Sequence, residues 1–562
     1  MQLPSTNRAT LARHGRPGRC ARGGELNVRA THVVDPDTGE ERRRAGRPAD
    51  RPPSMRAPSM RVPALVIVAY AALVIAWVFS NPPFAAPDEP DHYVRAIGLA
   101  GGQLIGEPAD YPQPPNSTPT LQRVYALYDA AARNIRVPAG LWARGLTCNA
   151  FAPTVTAGCL DDVDPIHRST EQITLVSAYE PAPYLLPGLL AQLGNDPFSA
   201  VRLGRLGSAF VCLCLLALAV ALLWGRDPFA ASLVGLVIAT TPMVVFTAAI
   251  LNPSGPEIMS AIAFTAALMR LTRCPTAAGW VWVGAALSGV ALALSRSTGP
   301  VWLAFIVLVA VLLAGSARTR ALLSASPRAA GLATAAIVLA VVASASWQAT
   351  YGPPSSIDVG DFVREIRPAI DALPGKFDQQ VGVFGWLDAS MPAVSLLAWQ
   401  GMLVALLTAA VLVGSLRARW ALFAASAGAL ILIVSWSAWY KALTGLESQG
   451  RHWLPVAVVV PLLAGEVLYR NAGRLRILDA ERLFLPFAVL AGFLQVMGWY
   501  ANARRHAQGA DGRLLIFESP AWSPPLGWVT WSVVVVTASA LLVVAAAHTT
   551  RPITLRGAQA PN

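Results

Sequence analysis

Charge is scarce in this sequence. Of its 562 residues only 14% are Asp, Glu, Lys or Arg, where an ordinary soluble domain carries about 25%. That shortage excludes a large solvated surface. Cysteine is scarce too. The six are Cys20, Cys148, Cys159, Cys212, Cys214 and Cys274, and none has metal-site spacing. There is no Walker loop, zincin helix or GxSxG elbow, so no soluble ATP-using module is legible. In place of charge there is apolar length. The mean hydropathy is +0.48, and runs of about 18 or more apolar residues recur, enough to cross ~30 Å of hydrocarbon. The fold class is therefore an all-α polytopic membrane protein.

The net charge of +12 does not point to nucleic acid, because its distribution is uneven. Residues 1–61 hold 13 Arg against six acids, with Pro, Gly and no apolar periodicity. They read as a disordered basic tail that holds this end in the cytoplasm and meets anionic membrane lipid. Met55 and Met60 are alternative starts. The run 62–79 reads as a retained anchor, since "NPPFAAPDE" is a poor cleavage context. About twelve spans are expected, near 62–80, 205–224, 229–250, 257–272, 279–295, 300–316, 329–350, 396–415, 420–440, 453–469, 483–501 and 526–547. Short connections on the expected inner side carry twelve Arg, and those on the outer side six Arg or Lys. This bias predicts both termini in the cytoplasm of a plasma (inner) membrane. The transmembrane domain then covers 62–547 and a C-terminal cytoplasmic tail covers 548–562.

Two expected outer loops, 81–204 and 351–395, are too long to be mere connections. The first has an apolar helical spacing at Leu121, Val124, Tyr125 and Tyr128, which predicts a surface helix. It also contains "CNAFAPTVTAGC", where ten residues separate Cys148 from Cys159. Outside the cytoplasm a disulfide is permitted there; the alternative is two free thiols. The second contains "VGVFGWLDASMP", residues 381–392, which reads as an amphipathic interfacial segment.

Polar residues cluster at the expected outer ends of spans. "FAAPDEPDHYVRA", residues 84–96, holds Asp88, Glu89, Asp91, His92 and Arg95 directly after the first span. One reading is capping: Pro90 suits a first turn, and acids there complement the helix dipole. The other is chemical, with a carboxylate acting as general base or holding a cation. A helix would put Asp91 and Arg95 at i, i+4, as an ion pair or with Arg95 as a phosphate contact. Tyr179, Glu180 and Tyr184 in "SAYEPAPYLLPGLL" read either as an interfacial belt or as a rim that stacks a sugar or guides a lipid chain. Asn252, Ser254 and Glu257 follow the third span, and Arg296 ends a later one. Gln449, Arg451 and His452 crowd one short loop, where Arg451 is suited to grip an anionic substrate. Glu466 lies inside a span, where an acid is by default paired or functional.

These motifs resemble, in order, a bacterial family of predicted membrane proteins grouped with the GT-C glycosyltransferases. The resemblance rests on "APDEPDHYVRAIGLAGG", "YEPAPYLLP", Asn252-Pro253-Ser254, "FGWLDASMP" and "QGRHWLP", and spans roughly residues 62–545. Ser254 stands where the family carries Asp, and His452 where it carries Tyr. The resemblance implies a GT-C-like fold with a long first extracytoplasmic loop. It implies a glycosyltransferase that moves a sugar from a polyprenyl-phosphate donor to a cell-envelope glycan or lipid acceptor, with inversion. The catalytic acid falls on Asp88 or Glu89, with a divalent cation (Mg or Mn), if one serves, on the same pair. Arg451, with Arg95 or Arg296, would stabilise the departing lipid phosphate. Two other readings remain: a flippase of an envelope precursor, and a non-catalytic partner in envelope assembly.

Overall fold

The computed structural model describes residues 60–115, 117–225, 230–273, 276–352, 357–477 and 483–549. The expectations placed on the basic tail, Cys20, Arg226, Cys274, Arg482 and residues 550–562 lie outside these.

Helices occupy all twelve expected stretches, but they are not twelve uniform spans. Among the described residues eight are long and apolar enough to cross a membrane: Arg61–Ser80, Pro197–Leu223, Pro327–Tyr351, Ala393–Val413, Leu416–Thr444, Gly450–Arg470, Phe484–Gln508 and Gly527–Thr549. Two bent pairs raise the count to ten. Ala231–Ala239 turns by 69° into Pro242–Ala248, and Gly299–Ala314 by 104° into Ser316–Ala325. The first break falls where Pro242 cannot donate a backbone hydrogen bond and the Thr241 hydroxyl caps the new helix. At the second, Gly315 has φ +81°, which ends a helix without steric penalty. The two remaining helices correct the expected twelve. Ser254–Arg273 carries Glu257, Arg270 and Arg273, and Gly279–Ala293 has only 15 residues, about 22 Å of helix against a ~30 Å core.

Ser254–Arg273 is nevertheless central. It is buried along most of its length and packs on Pro197–Leu223, Gly279–Ala293, Gly299–Ala314 and Val459–Arg470. The first span lies against Pro197–Leu223 and Gly527–Thr549. Small residues allow close approach: a Cβ on Gly235 would sit 2.5 Å from the Pro461 carbonyl, with Gly465 beside it, the packing that apolar helices use where no hydrophobic gain is available. Pro327–Tyr351 and Ala393–Val413 instead expose Leu332, Leu339, Val394 and Leu412 as a lipid-facing periphery. At the end away from the long loops, Glu466 is fully buried, held by Arg273 at 2.6 Å and Arg470 at 2.8 Å. It is the paired residue expected of an acid at that depth.

Both long loops fold at the opposite end. The first contains helix Glu89–Ala100, helix Pro119–Ala131 and an antiparallel sheet ordered Glu107–Pro108, Arg133–Val137, Thr170–Thr174, with Ile135 facing Gln172. Phe84, Tyr93, Ile135 and Leu141 give it a core of its own. Cys148 and Cys159 are joined by a disulfide. The second loop holds helices Val359–Asp371 and Leu373–Gly382. Its stretch 381–392 is not an interfacial amphipathic segment. It is a hairpin, Val383–Phe384 with Ala389–Ser390, and Phe384 is buried against Trp77 and Phe246 at ring distances of 5.0 and 5.4 Å. Arg505 binds the parts together. It pairs with Asp388 at 2.6 Å and donates to the carbonyls of Asn149, Ala152 and Val155 in the disulfide loop.

Candidate functional site

The acidic run after the first span is divided by its backbone. Asp88 takes φ +59°, a left-handed conformation that short polar side chains tolerate. Glu89 then begins the helix, with Pro90 in its first turn. The bend aims the two neighbouring carboxylates in different directions.

Glu89 points inward. Its carboxylate meets Arg205 through two hydrogen bonds, 2.7 Å from Nε and 2.5 Å from Nη2, and accepts the Leu251 amide at 3.0 Å. Both side chains are 0% exposed. Arg205 spends its remaining donors on the carbonyls of Val78, Asn81 and Pro82. Glu89 thus has no surface for a substrate. The expectation of a catalytic Glu89 gives way to a structural one: it fastens the end of the first span to Pro197–Leu223. Arg205 was a missed partner, and its signal was an arginine at the edge of an apolar run.

Asp88 points outward. Its side chain is 47% exposed and its Oδ2 lies 2.5 Å from Arg451 Nη2, whose side chain is 5% exposed. Arg451 enters from 363 residues away, in the 3-10 turn Gly450–Trp453. Its Nε and Nη1 are buried and have no hydrogen-bond partner. Arg451 lines a narrow cleft with Pro87, Phe246, Gln379, Leu387 and Gln449. A buried guanidinium with two unused donors is costly unless an acceptor completes it, and an anion is one acceptor that suits it.

The other expected residues surround this pair. Asp91 does not bond Arg95; its carboxylate accepts the Leu175 amide at 2.8 Å and its carbonyl accepts the Thr174 hydroxyl. Burial pushes its pKa up to about 6, and the charge of Asp88 adds to the rise. Arg95 is fully buried and donates to the carbonyls of Leu104 and Tyr179, so it braces the loop rather than greeting a substrate. His92 shares a 2.7 Å hydrogen bond with the Tyr184 hydroxyl; burial holds it well below the usual imidazole range, and Arg296 and Arg451 push the same way. Tyr184 is buried, and Tyr179 lies under the Arg296 guanidinium at 5.4 Å. Asn252 caps the Ser254 amide at 2.9 Å and reaches the Pro87 carbonyl at 3.5 Å. Glu257 is buried, accepting from Thr298 at 2.6 Å and Trp302 at 2.9 Å, with Arg296 at 3.7 Å. Gln449 and His452 are half-buried beside Arg451.

Lys376 and Gln379 were outside the sequence reading, and Glu180 was part of the Tyr179–Tyr184 cluster with no role of its own. Lys376 and Gln379 of the second loop bond the turn that carries Arg451. Glu180 is buried with Ser344 and Gln348 as donors, and burial raises its pKa. For a divalent cation the donor set is poor. Glu89 is consumed by Arg205, Asp88 already holds Arg451, and no group of three His, Cys, Asp or Glu stands together among the described residues. No step is assigned to a metal here.

Comparison with known proteins adds three findings. A search of curated proteins finds no match. The crystal structure of ArnT from Cupriavidus metallidurans bound to undecaprenyl phosphate is similar over 88% of this chain and 78% of its own, at 13% identity and a TM-score of 0.42. The family described as "Predicted membrane protein (DUF2142)" matches residues 72–460, well over half of the chain, and the protein belongs to that family.

Proposed function

We propose that the protein is an inverting membrane glycosyltransferase that takes a sugar from a polyprenyl-phosphate donor and passes it to a hydroxyl of an envelope glycan or lipid. The supporting observation is the Asp88–Arg451 pair: a half-exposed carboxylate beside a buried guanidinium with two unused donors. The acceptor hydroxyl gives its proton to Asp88 as its oxygen attacks the anomeric carbon. The bond from that carbon to the phosphate oxygen breaks, and the electron pair leaves with the lipid phosphate. Arg451 meets the charge that develops there from a buried position. The donor is already activated, so a nucleotide module is not needed.

The loop end is assigned to the extracytoplasmic face of the plasma membrane. The charge bias of the short connections and the disulfide both favour that orientation. The decisive experiment is transfer of a labelled sugar from polyprenyl-phosphate donors by the purified chain. Asp88→Asn, which tolerates the left-handed backbone, should lower turnover by a factor of about 10² or more without loss of folded protein. Full transfer by Asp88→Asn would sink the assignment.

A further inference from the structure

Arg451 lies on a turn that has little support from its own span. Residues 445–449 are irregular, and the helix proper begins at Leu454. The support comes from the second long loop. Lys376, on helix Leu373–Gly382, is buried, and its Nζ donates to the Ser448 carbonyl at 2.8 Å, the Ser448 hydroxyl at 3.2 Å and Glu447 at 3.4 Å. One turn later on the same helix, Gln379 Oε1 accepts the Gly450 amide at 2.6 Å. The fit is tight. A Cβ on Gly450 would lie 2.5 Å from the Lys376 carbonyl and 2.5 Å from Gln379 Cβ. A buried ammonium is expensive unless it is paired and hydrogen-bonded; these three acceptors meet that need, although burial still lowers the Lys376 pKa.

We propose that Lys376 and Gln379 are positioning residues for the anion site. They clamp Glu447–Gly450 from one helix, Lys376 at Ser448 and Gln379 at Gly450, and so hold the turn that carries Arg451. The clamp continues outward through charge. Glu447 also meets Lys441 at 2.7 Å, and Lys441 meets Glu365 at 3.4 Å on helix Val359–Asp371. The second loop therefore sets where the phosphate is gripped, although neither clamp residue is needed to bond the phosphate itself. The proposal rests on the reading of Arg451 as a phosphate contact.

The test uses the full chain in lipid nanodiscs with farnesyl phosphate, a short polyprenyl monophosphate, as probe. Affinity is read by calorimetry, and backbone order at 445–453 by hydrogen exchange. Lys376→Met and Gln379→Leu should each speed exchange at 447–453 and weaken binding about tenfold. Neither should weaken it further when Arg451→Gln is already present. Gln379→Glu separates position from charge: its carboxylate still accepts the Gly450 amide, so exchange stays slow, while its charge in the cleft weakens binding. Unchanged exchange in both Lys376→Met and Gln379→Leu overturns the clamp. So does a loss of affinity that adds fully to that of Arg451→Gln. If the wild-type chain fails to bind farnesyl phosphate while the exchange changes appear, the phosphate reading falls and the clamp on Arg451 stands.

Discussion

Adjacent residues can have opposite fates, and Asp88 and Glu89 show how. One left-handed residue turns the chain by enough to send Asp88 outward to Arg451 and Glu89 into the bundle. The conformation also determines which substitution is informative. Asp88→Asn keeps a side chain that accepts this backbone, whereas Asp88→Ala adds about 1 kcal/mol of strain and confounds loss of the carboxylate with loss of fit. Comparing melting temperatures of the two variants checks this: both lose the charge opposite Arg451, and Ala should fall further than Asn. Arg451→Lys should keep the charge but lose the fork of donors. Affinity for a polyprenyl phosphate should fall about tenfold, measured against unchanged thermal stability. Asp91 is the residue for pH. Its folded pKa, about 6, lies above the ~4 of an unfolded chain, so the folded state holds the extra proton between those values. Stability therefore falls as pH rises from about 4 to about 6 and is flat above. Asp91→Asn, which still accepts the Leu175 amide, should remove that slope and raise the melting temperature at neutral pH but not at pH 4.

At the scale of elements, the ion pair Glu89–Arg205 joins helix Glu89–Ala100 to span Pro197–Leu223. Removing one partner leaves a buried charge with no compensation, worth about 3–5 kcal/mol. Glu89→Gln should therefore lower the yield of folded protein sharply. The double variant Glu89→Met with Arg205→Met should recover part of the loss, because both charges leave together. A double-mutant cycle on melting temperature reads the coupling, and additive losses would contradict a pairing role. The cycle also separates the two acids: Glu89→Gln should act on stability, and Asp88→Asn on turnover.

At the scale of the whole molecule, the first and last spans run antiparallel in contact. Arg61–Ser80 runs toward the long loops, and Gly527–Thr549 starts there and runs back. The two described ends, Met60 and Thr549, thus lie at the same end of the bundle, away from the loops. A cysteine introduced at Arg144 should react with a membrane-impermeant thiol reagent in intact cells, and one at Asn471 should not. The reverse labelling would invert the proposed orientation. Cys148→Ser should loosen the loop that Arg505 holds, with faster proteolysis between 145 and 163 as the readout.

Apolar run length, charge bias and the crowding of polar residues at span ends were local properties, and they were legible in order along the chain. They yielded a helical membrane protein, the positions of its helices, a helix at Pro119–Ala131 and the placing of Asp88 and Arg451 at one end of the bundle. Run length alone could not reveal that Pro242 breaks one stretch, that a second helix follows Gly315 at a sharp bend, or that Gly279–Ala293 is too short to cross alone. Phe384 was read as interfacial because its segment is apolar and aromatic, yet those same properties suit it to a buried hairpin against Trp77. The roles of Asp88 and Glu89 could not be separated in sequence, since composition and spacing treat them alike. Only the tertiary fold decided between them, because an ion pair spanning 116 residues and another spanning 363 depend on which distant arginine each carboxylate meets once the helices are packed.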